Sequence, residues 1–111
     1  SNNYAYWFSP NESVYVIKNN KNQEVAFFSF IIEKDFILLR RLFIDSPFRA
    51  LGLGKEVLNY LQLFARSCNK ELRVNVYDET AADFYVHMGA EKLFSTYRWK
   101  LLENNEGYKD E

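Results

Sequence analysis

The sequence predicts an α+β domain, a mixed and largely antiparallel sheet with flanking helices. Three β-patterned segments follow one another in the first half, and helical and strand periods then alternate, so that a crossover helix joins the third and fourth strands. The composition agrees: with 48% hydrophobic and 18% aromatic residues among 111, the chain can bury one compact core and is too short for a second.

SVYVIK (13–18) and EVAFFSFIIE (24–33) are rich in β-branched and aromatic residues and flank the polar cluster NNKNQ, the pattern of a hairpin. FILLRRLFID (36–45) is a third strand, apolar but for Arg40 and Arg41 and ended by Pro47. Strand alternation points these arginines to opposite faces, so the one on the covered side pairs with a carboxylate in preference to lining a cleft. From Gly52 to Ser67, the residues Leu53, Val57, Leu61, Phe64 and Ala65 recur at helical spacing opposite Lys55, Glu56, Asn59, Gln62 and Arg66, which predicts one long amphipathic helix. LRVNVYD (72–78) alternates as a half-buried strand. ETAADFYVHMG (79–89) is a short helix with Asp78 as its N-cap and Gly89 as its stop, and KLFSTYRWKLL (92–102) is a final strand. The domain spans 13–102, between a short lead-in (1–12) and a polar tail (103–111).

Fourteen basic against fifteen acidic side chains leave a net charge of −1, so no nucleic-acid partner is expected. No apolar run approaches the roughly 18 residues that span a bilayer, and the first residues lack signal-peptide character. The expectation is therefore no membrane partner and a cytoplasmic setting. One Cys excludes an internal disulfide, and with a single His it cannot build an ordinary structural zinc site, so no metal is expected. His87 reads as an exposed helical histidine, and Cys68 as a small buried or half-buried residue. Aromatic residues left exposed would mark a homodimer face or a contact with a missing N-terminal region.

Glycine is scarce, four in all, yet Gly52 and Gly54 stand together in RALGLG (49–54) at the strand-to-helix junction. The first N–H groups of a helix lack internal acceptors, and aligned peptide dipoles leave about +0.5 charge there. Glycines let a phosphate approach those amides while Arg49 and Lys55 add charge from the sides. The stretch reads as a phosphate or pyrophosphate cradle, or as a tight turn. It is not the P-loop, which needs GxxxxGK and then Ser or Thr, nor the dinucleotide fingerprint, whose third glycine is Val57 here.

RALGLG resembles the acyl-CoA pyrophosphate loop of the GNAT superfamily of N-acyltransferases, where Gln or Arg, two residues, Gly, one residue, and Gly or Ala recur. DETAADFYVHMGAEKL (78–93) resembles the family's second signature, with Ala81, Phe84, Tyr85 and Gly89 in matching positions. Asp78 and Ala90 stand where that signature commonly has Asn and Phe. Together the two motifs identify residues 13–102 as similar to this superfamily.

The resemblance implies a three-layer α/β arrangement whose sheet splays between LFID and LRVNVYD, with acetyl-CoA as donor and no metal. The donor would be held by Arg49, Ala50, Leu51, Gly52, Leu53, Gly54 and Lys55, by backbone groups of Phe43 and Ile44 along the pantetheine arm, and by Asp78, which unlike Asn can only accept. Tyr85 would be the general acid for the leaving thiolate as a primary amine of a small molecule or peptide attacks directly. No general base is apparent: Asp45 reads as a strand-end residue, and Glu33 and Asp35 as solvated hairpin residues. The family's N-terminal strand and two helices have no counterpart in 1–12. The acceptor wall is then either part of a longer parent protein or reduced, and the alternative function is a catalytically inactive acyl-CoA-binding sensor or interaction module.

Overall fold

The structure, a computed structural model, describes residues 8–103. It contains β1 (Ser13–Lys18), β2 (Glu24–Ile32), β3 (Phe36–Ile44), α1 (Leu53–Ser67), β4 (Glu71–Asn75), α2 (Glu79–His87), β5 (Glu91–Leu93) and β6 (Thr96–Trp99). The strands form one sheet in the order β1-β2-β3-β4-β6-β5, antiparallel throughout except for the parallel β3–β4 pair that the α1 crossover requires. None of the described helices is long and apolar enough to cross a membrane.

Both helices contribute to one core on one face of the sheet. Val57, Leu58, Leu61 and Ala65 of α1 and Tyr85 of α2 pack against Phe28, Phe30, Ile37, Leu39, Leu72, Val74, Tyr97 and Trp99. The helix ends follow from local chemistry. Asp78 caps α2 by accepting from the Thr80 N–H at 3.0 Å. Gly89, at φ 97°, closes it in a Schellman turn, with Gly89 N–H bonded to Val86 C=O and Ala90 N–H to Tyr85 C=O.

The structure departs from the sequence reading in three places. The fourth strand stops at Asn75, where its antiparallel partner begins at Thr96; Val76 N–H still donates to Ser95 C=O at 3.0 Å, and residues 77–78 lie outside the sheet. The expected single final strand is a hairpin, β5–β6, turned at Phe94 and Ser95 with Phe94 at φ 54°. No Gly or Asn marks that turn, so turn chemistry gave no signal for it. Third, Arg40 and Arg41 do not alternate: Ser29 pairs with Arg41 while Phe30 pairs with Leu39, which leaves Arg40 as the extra residue of a β-bulge.

On the face away from the helices, Arg41 Nε lies 3.5 Å from a Glu12 carboxylate whose side chain is fully buried. That carboxylate also accepts from the Ser29 hydroxyl and from the Ser9 N–H at 3.1 Å. Burial pushes the Glu12 carboxyl up. The Ser29 hydroxyl, the Ser9 amide and the charges of Arg41 and Arg40 outweigh that effect, and the net pKa lies below the ordinary 4.5. A depressed carboxylate pKa stabilises the fold above its unfolded value, and that contribution is lost as pH falls through the native value. Denaturant titrations should therefore show wild type losing stability below about pH 4.5, while Glu12→Gln, already weaker at pH 7, shows a shallower acid slope.

Candidate active site

The strand-to-helix junction is built to leave α1 uncapped. Asp45 caps the short 3-10 turn at Ser46–Phe48, so the expected strand-end role is the one it has. Arg49 Nε donates to Ile44 C=O at 3.1 Å and holds the loop against the end of β3. The chain then reverses through two left-handed residues, Ala50 at φ 64° and Gly52 at φ 82°. Gly52 is the N-cap of α1 and offers no side chain to it. The first intrahelical bond at this end runs from Glu56 N–H to Gly52 C=O at 3.0 Å, so the N–H groups of Leu53, Gly54 and Lys55 project from the helix end without internal acceptors.

The two glycines serve different ends. A Cβ at Gly52 would meet nothing within 4 Å, so the demand there is the left-handed backbone and an open approach to the amides. A Cβ at Gly54 would lie 3.0 Å from Phe84 Cζ, tighter than side chains ordinarily pack, and in ordinary contact with Ile44 Cδ1 at 3.5 Å. Gly54 is buried, and lets α2 close onto the β3–α1 corner through Phe84.

Beyond this corner the sheet opens. Pairing between β3 and β4 runs only from Phe36↔Glu71 to Leu39↔Val74, although β3 continues to Ile44. The last residues of β3 thus face a V on one side and β2 on the other. Asp45 N–H donates to Val25 C=O at 2.9 Å. Alternation along an antiparallel pair then makes Phe27↔Phe43 a hydrogen-bonded pair and leaves the peptide groups of Leu42 and Ile44 turned toward the V. The Phe43 backbone is directed to β2. Leu42 is the residue that the sequence reading passed over, and counting two residues back from Ile44 would have found it.

Tyr85 is buried on α2, edge-on to Trp99 with ring centroids 5.7 Å apart. The Trp99 indole donates to Met88 C=O at 3.1 Å and locks that contact. Burial pushes the Tyr85 phenol above its ordinary value of 10.0. Its hydroxyl makes no hydrogen bond to another described residue, nor is it among the sealed polar atoms. It is a neutral donor with its proton unspent.

The remaining expected residues divide. Leu51 is 67% exposed at the loop tip, and Lys55 lies in the first turn of α1. The Asp78 carboxylate is engaged by the Thr80 N–H, a capping role that competes with ligand contact. His87 is exposed and Cys68 half-buried, as read from the sequence. Glu33 and Asp35 are exposed at their hairpin. Among the described residues no three His, Cys, Asp or Glu side chains gather as a metal site.

The profile of the acetyltransferase (GNAT) domain matches residues 10–89. The fold is similar to that of a KacTA–DNA complex, at 16% identity and TM-score 0.73 over 86% of this chain and 71% of that one. It is also similar to AtaTR bound with AcCoA, at 18% identity and TM-score 0.71 over 80% and 67%. A GNAT-family acetyltransferase from Staphylococcus aureus Mu50 matches at 20% identity and TM-score 0.69 over 83% and 69%. The first of these corrects the partner expectation, since a fold of this kind occurs in an assembly with DNA. A net charge near zero speaks only against direct binding by a broad basic face, and an assembly can hold DNA through another component.

The raised phenol pKa of Tyr85 carries its own test. A group whose pKa is raised on folding contributes stability below its unfolded value, here about 10, and loses it as pH rises through the native value. Denaturation from pH 8 to 11 should show a steeper alkaline loss in wild type than in Tyr85→Phe; identical slopes would contradict the buried, protonated assignment.

Proposed function

The chain belongs to the GNAT acetyltransferase family, and from that premise we propose that it transfers an acetyl group from acetyl-CoA to a primary amine by direct attack. The observation that carries the reading is a conjunction: the peptide groups of Leu42 and the N–H of Ile44 face the gap that β4 leaves, the uncapped end of α1 stands at its corner, and α2, which carries Tyr85, closes on that corner through Phe84 against Gly54.

The amides of Leu53, Gly54 and Lys55, with the partial positive charge of the helix end, hold the pyrophosphate, and Lys55 adds its ammonium. Arg49 keeps the loop in place through Ile44 C=O. Leu42 and Ile44 pair with the pantetheine arm as a short added strand, using peptide groups that β4 leaves unpaired. That pairing fixes the thioester in register with the incoming amine, and orientation supplies much of the acceleration. A backbone N–H facing the V stabilises the developing oxyanion. As the C–S bond breaks, the Tyr85 hydroxyl gives its proton to the thiolate, and the attacking nitrogen releases its own to solvent. Glu12, sealed under Arg41 and Ser29, has no route to the amine and is not a base. The cytoplasm is part of the same proposal, supported by a single thiol that has no disulfide partner in the chain.

Calorimetry with acetyl-CoA and thiol release with a panel of amines test this reading. Gly52→Val should abolish binding by forcing a branched side chain into the left-handed cap. Tyr85→Phe should keep binding and lose about 10²–10⁴-fold in kcat. Binding without turnover of any amine would leave an acyl-CoA-binding module, and absence of binding would remove both readings.

A further inference from the structure

The β3 bulge leaves one charge unmatched at the apex of the V. Arg41 faces Glu12 at 3.5 Å. Arg73 pairs with Glu71 at 2.6 Å, and Arg98 lies between Glu71 at 3.8 Å and Glu91 at 3.5 Å. Arg40 is exposed and, among the described residues, has no hydrogen bond or ion pair. It is the extra residue of the bulge and the first residue of β3 beyond the last β3–β4 pair, Leu39↔Val74. Leu39 before it and Leu42 after Arg41 both pack into the helix-side core, so alternation across the bulge puts Arg40 with Arg41 on the face away from the helices.

That position bears on the acceptor. α1 and α2 cover one face of the V, with Phe84 closing the corner against Gly54. An amine that approached from the opposite face would pass Arg40. The Glu12 carboxylate, whose charge couples to Arg40, is bonded by Arg41, Ser29 and Ser9 and makes no ion pair with Arg40, which leaves the Arg40 guanidinium donors open to a ligand. A free guanidinium presents a planar fork of donors that matches a carboxylate or phosphate in two hydrogen bonds. We propose that Arg40 determines acceptor specificity, and that the acceptor carries a carboxylate or phosphate beside its primary amine. This rests on the acetyl-transfer reading for the word acceptor, while the binding preference stands or falls on its own.

The test uses matched probes in the presence of coenzyme A: n-butylamine against 4-aminobutyrate, ethanolamine against O-phosphoethanolamine, and lysyl peptides flanked by Asn against the same peptides flanked by Asp. Binding is followed by NMR titration, and turnover with acetyl-CoA in parallel. The acidic member of at least one pair should bind about tenfold more tightly; preference in the small pairs assigns a small acidic amine, and preference confined to the peptides assigns an acidic protein site. Arg40→Gln should erase the preference and Arg40→Glu reverse it, both with unchanged acetyl-CoA affinity. Equal affinity within every pair, or a preference that survives Arg40→Gln, overturns the proposal. Preferential binding of acidic amines with no acetylation would keep Arg40 as their ligand and remove the transfer reading instead.

Discussion

The parting of β3 from β4 is the constraint on which the rest of the site depends. A parallel pair that continued to Ile44 would satisfy every peptide group of β3 internally and leave nothing for a ligand. Instead the pairing ends at Leu39↔Val74, and the free edge of β3 runs on beside a gap. An unpaired edge inside a sheet is normally a liability. At its corner α2 is held by the Trp99 indole bond to Met88 C=O and packs Phe84 closely over Gly54. The bulge at Arg40 sits at the point of parting, where local twist increases and the strand turns away from its neighbour.

The corner glycines show how one short motif can meet two unrelated demands. Gly52 is required by conformation, since it caps a helix in a backbone region that side chains resist. Gly54 is required by contact, because α2 approaches so closely that a methyl group would press on the Phe84 ring. The spacing of one residue between them places the conformational demand at the cap and the packing demand on the buried side of the first turn. The same turn leaves its amides open, and a helix of this length keeps its dipole at that end.

Much of the fold was legible from local chemistry. Strand alternation located β1, β2 and β3, the apolar period located α1, and Asp78 and Gly89 bounded α2 as cap and Schellman glycine. What escaped was set by tertiary context. The β5–β6 turn uses Phe94 in a left-handed conformation that no turn residue announces. The bulge breaks the alternation at Arg40 without Gly or Pro to mark it. Glu12 meets Ser29 across 17 positions of chain, a contact that no periodicity encodes. In the proposed site, the loop residues and Tyr85 are named by motif, whereas Leu42 and Arg40 depend on which way a peptide group and a side chain face at a break in the sheet.

In the proposed site the open edge of β3 and the uncapped end of α1 bind one ligand together. Backbone amide NMR during titration with acetyl-CoA addresses it residue by residue. The amides of Leu42, Ile44, Leu53, Gly54 and Lys55 should shift strongly, and those of Leu42 and Ile44 should gain protection from hydrogen exchange. Phe43, already directed to β2, should be protected before ligand is added. Saturating acetyl-CoA that leaves Leu42 and Ile44 unshifted and freely exchanging would contradict it.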